Sequence, residues 1–316
     1  MPAFCLFGAS DFVFNYSGFF LNYTLFIILF LIFCKIYEPK ESFQLILFMM
    51  ASYFSLELFA SFYVDLTYFI MCAIFFASLY LFNNKPKENT WSLALIIFFM
   101  FISKNTSYIL IPITSFFMII YFFIQKKERI TYIWSFIKSV ISGFTAYLIL
   151  ILRFNFHEDL IRGTGTFISD NPKLGTILSR IFHYFIQKKI DYNFYFLQKF
   201  HSLIYIIILY VSVTYLILKK KNVFWILLFV ISEFFFIFFY NIKGHHYDLR
   251  YFLLFYPVYL IIIFESLKDL TKFISKKLPN KIRVSPTTIR YMVIIIMAII
   301  NLTTLILKGT KLFSIT

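Results

Sequence analysis

Ten apolar stretches, each about 13 to 21 residues long, follow one another along this chain. The hydrocarbon core of a bilayer is about 30 Å thick, and roughly 20 apolar residues in a helix cross it. The stretches therefore predict an all-α fold, a polytopic bundle of about ten transmembrane helices. The expected spans are 19–37, 43–63, 66–83, 91–103, 107–125, 134–152, 202–218, 222–241, 251–267 and 291–308.

The composition excludes a soluble protein. Hydrophobic residues make up 61% of the chain and charged residues 14%, whereas a soluble domain is about 45–50% apolar and about 25% charged. A disordered chain is excluded as well, because such chains are poor in apolar residues. We therefore expect residues 1–316 to form a single integral membrane domain.

The basic residues alternate between successive connections. Lysines and arginines number 30 against 15 acidic residues, and they concentrate in every second connection, including the loop 268–290. Cytoplasmic loops of membrane proteins are rich in Lys and Arg, so this set is predicted to be cytoplasmic. The long loop 153–201, with short interfacial helices, is then predicted to lie outside. The pattern is typical of a multi-pass protein of the bacterial inner (plasma) membrane, and it explains the net charge of +15 without a nucleic-acid partner.

Two carboxylates are predicted at membrane depth. Glu57 lies within the expected span 43–63, and Asp65 follows the outer end of that span. A charged group inside a bilayer is costly, so each one indicates a functional site by default. We expect the two to line one cavity. Asp65 has a second interpretation, as the N-terminal cap of a helix that begins at Leu66.

Two cations are predicted on the outer face, where positive charge is disfavoured. Lys104 separates the stretches 91–103 and 107–125, which form either a tight hairpin or one broken segment, and Arg250 precedes the span 251–267. Together the two side chains can hold an anion such as a lipid phosphate. Each of them alone is also explained by snorkelling to the headgroups.

Three stretches occur in the order of a known family. Residues 61–65 (Ser-Phe-Tyr-Val-Asp) end a helix with small and aromatic residues and then an acid. Residues 98–112 contain a hydrophobic helix, a Lys, a short polar break and a helix with an early Pro, and residues 248–257 open a span with Arg-Tyr and carry a Pro seven residues after the Arg. Their order over residues 20–268 resembles the GT-C class of polyprenyl-phosphate-sugar-dependent membrane glycosyltransferases, especially the protein mannosyltransferases and the aminoarabinose transferase of lipid A.

The resemblance implies a polyprenyl-phosphate sugar as donor, held among membrane lipid, and a glycan, lipid or protein acceptor on the outer face. By the same resemblance Lys104 and Arg250 contact the donor phosphate. Asp65, together with Glu57, then supplies the carboxylates at the acceptor end, where Mg²⁺ or Mn²⁺ is the expected metal and Asp65 its ligand. The residues expected to line the cavity are His245, His246 and Tyr247.

One part of the family pattern has no counterpart in this sequence. The family's main catalytic acid lies in the first outer loop, after a helix that enters from the cytoplasm. Asp11 is the only acidic residue before the first expected span, and its neighbours differ from that loop. The charge pattern of the loops predicts the N-terminus outside. Residues 1–18 contain no Lys or Arg, so they do not resemble a signal peptide, which has a positively charged start. We expect either a truncated family member or one whose acid has been replaced.

Two other classes of function fit the same topology. A cell-surface polysaccharide polymerase or a lipid-linked oligosaccharide flippase also has ten or more spans and a large outer loop. Either would make Arg162, Arg180 and His183 of the outer loop essential and Lys104 dispensable. A non-catalytic membrane scaffold is the third interpretation.

Overall fold

The structure, a computed structural model, describes residues 11–52, 64–103, 107–125, 128–154, 203–243, 254–277 and 284–313. Within these ranges it is all-helical, with ten α-helices and no strand. In chain order the helices are α1 (Asp11–Phe33), α2 (Pro39–Ala51), α3 (Val64–Asn84), α4 (Pro86–Ser103), α5 (Ser107–Gln125), α6 (Arg129–Phe154), α7 (Leu203–Leu218), α8 (Val223–Lys243), α9 (Tyr256–Lys277) and α10 (Pro286–Phe313).

Each of these helices overlaps one of the predicted spans, in the predicted order. Three contain a segment long and apolar enough to cross a membrane: Leu66–Asn84 in α3, Arg129–Arg153 in α6 and Pro286–Thr304 in α10. Four more apolar segments are shorter: Phe20–Phe33, Leu110–Gln125, Ile207–Leu218 and Val223–Phe235. The described part of the chain is therefore an all-α protein whose helices include three of membrane-spanning length and composition.

Two of the three long apolar helices turn large hydrophobic side chains outward. Trp134 and Ile149 of α6 and Ile295 and Ile299 of α10 are each more than half exposed. By contrast, 83% of the apolar segment of α3 is buried inside the protein. Soluble monomers rarely expose apolar patches of this kind, whereas in a bilayer such faces would contact acyl chains.

The structure corrects one predicted span. The stretch 43–63 was expected to form one continuous helix, but α2 ends at Ala51, and Ser52 has extended backbone angles (φ −66°, ψ 143°). At about 1.5 Å per residue, the 13 residues of α2 reach only about 20 Å, too short for a bilayer. Residues 53–63 lie outside the described residues.

The two predicted loops are described to different extents. Much of 268–290 is helical, because α9 continues to Lys277 and α10 begins at Pro286. Most of 153–201, with its expected interfacial helices, lies outside the described residues.

The chain divides into two compact units. The first comprises Met1–Ile70, Ile204–Trp225 and Tyr256–Thr316, and the second comprises Met71–Leu203 and Ile226–Phe255. Within the first unit α10 packs on α9 and α2, and α2 packs on α1 and α9. Within the second unit α6 packs along α4 and against α5.

Small residues on α6 allow its close approach to α4. Ser139 is fully buried, and its Oγ atom donates a hydrogen bond to the main-chain oxygen of Thr90 at 2.8 Å. Gly143 follows four residues later on the same face, and a Cβ atom there would lie 2.6 Å from the main-chain oxygen of Ala94. Small residues four apart are common where membrane helices pack closely, because they let the backbones meet.

Candidate functional site

Most residues predicted to act lie outside the described residues. These are Glu57, Lys104, His245, His246, Tyr247 and Arg250. Asp65 is the second residue of α3, which begins at Val64 and not at Leu66 as predicted. Asp65 is therefore in the first turn of the helix rather than at the cap position, and a carboxylate there is still favoured by the helix dipole.

The helices on either side of the Lys104 break form a hairpin, which decides between the two predicted arrangements. Near the start of α4, the main-chain oxygen of Thr90 accepts the hydrogen bond from Ser139 of α6. Near the end of α5, the ring of Phe122 packs on that of Phe136, one turn before Ser139, with centroids 5.7 Å apart. The first turns of α4 and the last turns of α5 thus lie beside the same part of α6, and the two helices run in opposite directions.

The hairpin separates the predicted phosphate-binding position from the basic helix ends. Lys85 and Lys87 stand at the start of α4, and Arg129 follows the end of α5, whereas residues 104–106 connect the other ends of the two helices. If Lys85, Lys87 and Arg129 are cytoplasmic, as the charge pattern predicts, the break at Lys104 belongs to the opposite membrane face.

Four aromatic residues pack together beside this break. Phe101 stacks on Tyr147 with ring centroids 5.3 Å apart and an interplanar angle of 21°. Tyr108 packs on Phe101 as well, and its hydroxyl is hydrogen-bonded to that of Tyr147. Phe144 packs on Phe101 as well, with ring centroids 5.4 Å apart. The cluster places two phenolic hydroxyls close to the end of the hairpin that carries the break.

The main-chain oxygens at the end of α2 accept hydrogen bonds from two side chains. Asn301 of α10 donates a hydrogen bond from Nδ2 to the main-chain oxygen of Ala51 at 2.9 Å, and both residues are buried. The Ser52 hydroxyl turns back to the main-chain oxygen of Met49 at 2.7 Å. Non-helical backbone at membrane depth occurs only where protein or a water-filled cavity satisfies it, and here two side chains do so.

A cluster of charged and polar side chains joins three helices of the first unit. This Glu41 cluster consists of Glu41 and Gln44 of α2, Glu265 and Lys268 of α9, and Arg290 of α10. The Lys268 Nζ atom lies 2.7 Å from Glu41 Oε2 and 3.8 Å from Glu265 Oε1. Arg290 donates from Nε to Gln44 Oε1 at 2.7 Å, and its Nη2 atom lies 3.8 Å from Glu41 Oε1.

The Glu41 cluster is largely buried and electrically balanced. The side chain of Arg290 is 4% exposed, that of Lys268 is 14% exposed and that of Glu41 is 16% exposed. Two carboxylates face two cations, so that no net charge is buried. The Nη1 atom of Arg290 is buried without a hydrogen-bond partner among the described residues. Buried ion pairs of this kind cost much to break, because the remaining charge stays unpaired.

The turn between α7 and α8 contacts α9 beside the same cluster, through a hydrogen bond and an ion pair. Asn222 donates from Nδ2 to Glu265 Oε2 at 2.8 Å, and Lys221 contacts Asp269 Oδ2 at 2.8 Å. The hydrogen bond to Asp269 and the attraction between the two charges raise the pKa of Lys221 above its ordinary value. This pair is more exposed, with 54% of the Lys221 side chain accessible, so it is screened by solvent.

Sequence reasoning missed the Glu41 cluster. Lys268 and Arg290 were counted among the charges of a cytoplasmic loop, and Glu41 was not singled out. A signal was present, because Lys268 lies only three residues after Glu265, a spacing that puts both on one helix face. The partners on α2 are more than 200 residues away in the chain, and no local pattern predicts them.

The predicted metal receives no support from the described side chains. No group of three His, Cys, Asp or Glu that could hold an ion occurs among the residues that the structure describes.

No protein-family model, no curated protein and no solved structure matches this chain.

Proposed function

We propose that this chain is a multi-pass membrane glycosyltransferase of the bacterial inner membrane. It moves a sugar from a polyprenyl-phosphate donor to an acceptor on the extracytoplasmic face. The observation that carries the proposal is the α4–α5 hairpin, whose connection holds Lys104 and lies at the end away from Lys85, Lys87 and Arg129. A cation in that connection suits the phosphate of a donor that is presented on the outer side.

The outward apolar faces support the multi-pass part of the proposal. α6 and α10 belong to different units, and each exposes large hydrophobic side chains along its length. An exposed apolar stripe on each unit is consistent with a surface that contacts lipid. The alternating charge of the connections gives the orientation.

The proposed reaction is a displacement at the C1 atom of the sugar. A bond forms between an acceptor hydroxyl oxygen and C1 while the bond between C1 and the phosphate oxygen breaks. A carboxylate, Asp65 or Glu57, accepts the hydroxyl proton, and Lys104 and Arg250 neutralise the charge that develops on the leaving phosphate. The configuration at C1 is inverted, because the acceptor attacks opposite the leaving group.

Transfer by the reconstituted chain tests the proposal. Membranes that contain the protein and a radiolabelled polyprenyl-phosphate sugar should form a labelled product, and Lys104→Gln or Arg250→Gln should lower the rate by at least about 100-fold, the effect of one lost transition-state contact. Lys138→Gln is the control, because Lys138 is an exposed cation of α6 that lies over the Trp91 ring near the start of α4, at the end of the hairpin away from the break. Wild-type rates in the Asp65→Ala/Arg250→Ala double variant would refute the assignment of the site.

The end of α2 favours one second candidate, a lipid-linked oligosaccharide flippase. Membrane transport proteins place polar sites at helices that are interrupted near the bilayer midplane, and α2 ends at Ala51 with a buried side-chain cap. A flippase would move a fluorescent lipid-linked oligosaccharide across vesicles without releasing its phosphate. Movement without transfer would favour this candidate over the glycosyltransferase.

A further inference from the structure

The last turns of α9 bury polar side chains and expose apolar ones, which is the opposite of what a helix on the surface of a soluble protein does. Thr271 and Ser275, which are polar, are buried against the rest of the first unit, and the Ser275 hydroxyl donates to the main-chain oxygen of Val284 at 2.8 Å. Leu270 and Phe273, which are apolar, are 52% and 59% exposed. The polar face of this part of α9 therefore packs against the protein, and its apolar face is exposed.

The exposed apolar side chains share one face of the helix. Leu270, Phe273, Ile274 and Lys277 stand at positions i, i+3, i+4 and i+7, which coincide on an α-helix. The Nζ atom of Lys277 lies 5.8 Å from the centroid of the Phe273 ring, within the range of a cation–π contact. We call these four residues the α9 outer face.

The charge around the α9 outer face has one sign. Lys272 and Lys276 are exposed on the same turns of α9, and Lys277 belongs to the face itself. Asp269 is the only acidic residue of the segment 268–277, and its Oδ2 atom pairs with the Lys221 Nζ atom at 2.8 Å. A partner of this surface must therefore bring negative charge together with apolar groups.

The depth of the α9 outer face matches the headgroup layer. Lys268 belongs to the buried Glu41 cluster, and Leu270, Phe273 and Ile274 lie about 3 to 9 Å further along the helix. The headgroup layer on each side of a bilayer is about 5 to 8 Å thick. If the Glu41 cluster marks the cytoplasmic boundary of the hydrocarbon, the α9 outer face lies within the headgroups and the lysines reach the phosphates.

We propose that the α9 outer face binds the anionic lipid headgroups of the cytoplasmic leaflet, with Leu270, Phe273 and Ile274 in the interface and Lys272, Lys276 and Lys277 at the phosphates. Basic residues interleaved with aromatic and aliphatic ones are the usual composition of such interfacial segments. This function concerns the lipid around the protein and rests only on the membrane location and orientation proposed above, not on sugar transfer. Anionic lipids already supply both negative charge and apolar chains at this depth, whereas a protein partner would have to bring acidic residues into the headgroup layer.

Lipid enrichment around the intact chain tests the charge part of the proposal. The full-length protein is placed in nanodiscs of phosphatidylcholine with a minor fraction of fluorescent phosphatidylglycerol, and energy transfer from a dye on the protein reports the local concentration of that lipid. Lys272→Gln/Lys276→Gln/Lys277→Gln should lower the enrichment by at least about fivefold, the effect of a single lysine at an anionic surface. Lys35→Gln/Lys40→Gln/Lys219→Gln, which removes three exposed lysines of the first unit that are not part of α9, is the matched control.

A depth measurement tests the apolar part independently. Ile274→Cys, in a background without the natural thiols of Cys5, Cys34 and Cys72, carries an environment-sensitive dye that headgroup-labelled quencher lipids should quench. Lys219→Cys, in the turn between α7 and α8, should be quenched less. Equal enrichment in wild type and the α9 triple variant, or a dye at position 274 that no lipid quencher reaches, would overturn the proposal.

Discussion

Asn301, in the middle of α10, caps the end of α2 by donating a hydrogen bond to the main-chain oxygen of Ala51 at 2.9 Å. Asn301 lies eleven residues after Arg290, which corresponds to about 16 Å along the helix, or about half of a bilayer core. Ala51 lies ten residues after Glu41, a similar rise on α2. Because Glu41 and Arg290 contact each other, the cap lies a similar distance from the Glu41 cluster along both helices.

Removal of this cap should destabilise the first unit. Asn301→Leu leaves the Ala51 oxygen buried without a donor, which costs about 1–3 kcal/mol. Unfolding of the purified protein in detergent should therefore begin at a lower temperature. Thr304→Val is the control, because the Thr304 hydroxyl is exposed and binds only within its own helix. Equal melting temperatures for Asn301→Leu and wild type would show that the cap is dispensable.

Hydropathy predicted the helices and the break at Lys104, because three polar residues in a row interrupt an apolar run there. It did not predict the end of α2. The residues around Ala51 are as apolar as those of a continuous helix, and the side chain that stabilises the interruption is 250 residues away. The same reason hid the Glu41 cluster, since charges can be counted from a sequence but their long-range pairing cannot.

Removing one charge of a pair in the Glu41 cluster should lower the free energy of unfolding more than removing both charges of that pair. Lys268→Met leaves Glu41 buried without its closest cation, and breaking a buried pair costs about 3–5 kcal/mol. The double variant Glu41→Gln/Lys268→Met removes both charges and should recover a large part of that loss. A double-mutant cycle of unfolding free energies in detergent measures the coupling.

The exposed pair on the neighbouring turn is the control for that cycle. Lys221→Met breaks a contact of similar length, 2.8 Å, but the Lys221 side chain is 54% exposed. Its loss should cost less than about 1 kcal/mol, as is usual for solvent-screened pairs. If Lys221→Met is as harmful as Lys268→Met, burial is not what makes the Glu41 cluster stabilising.

A side chain at position 143 should disturb the second unit. The Cβ atom of Gly143→Ala would lie 2.6 Å from the main-chain oxygen of Ala94, which cannot move without shifting α4. Overpacking of this kind costs about 1–3 kcal/mol. Ala146→Leu, at an exposed position on the same helix, should leave the melting temperature unchanged. A stable Gly143→Ala variant would mean that α4 and α6 are further apart than the structure has them.

The two ends of α4 should be reachable from opposite sides of the membrane. In a chain without its natural thiols, Ser103→Cys at the end of α4 and Lys87→Cys near its start are treated with a membrane-impermeant maleimide on intact cells. With the orientation that the charge pattern predicts, Ser103 lies outside and Lys87 inside, so only the thiol introduced by Ser103→Cys should react. Permeabilised cells should label both variants, which shows that each thiol is accessible. Labelling of Lys87→Cys in intact cells would reverse the orientation, and with it the side of the membrane on which Lys104 can meet a donor phosphate.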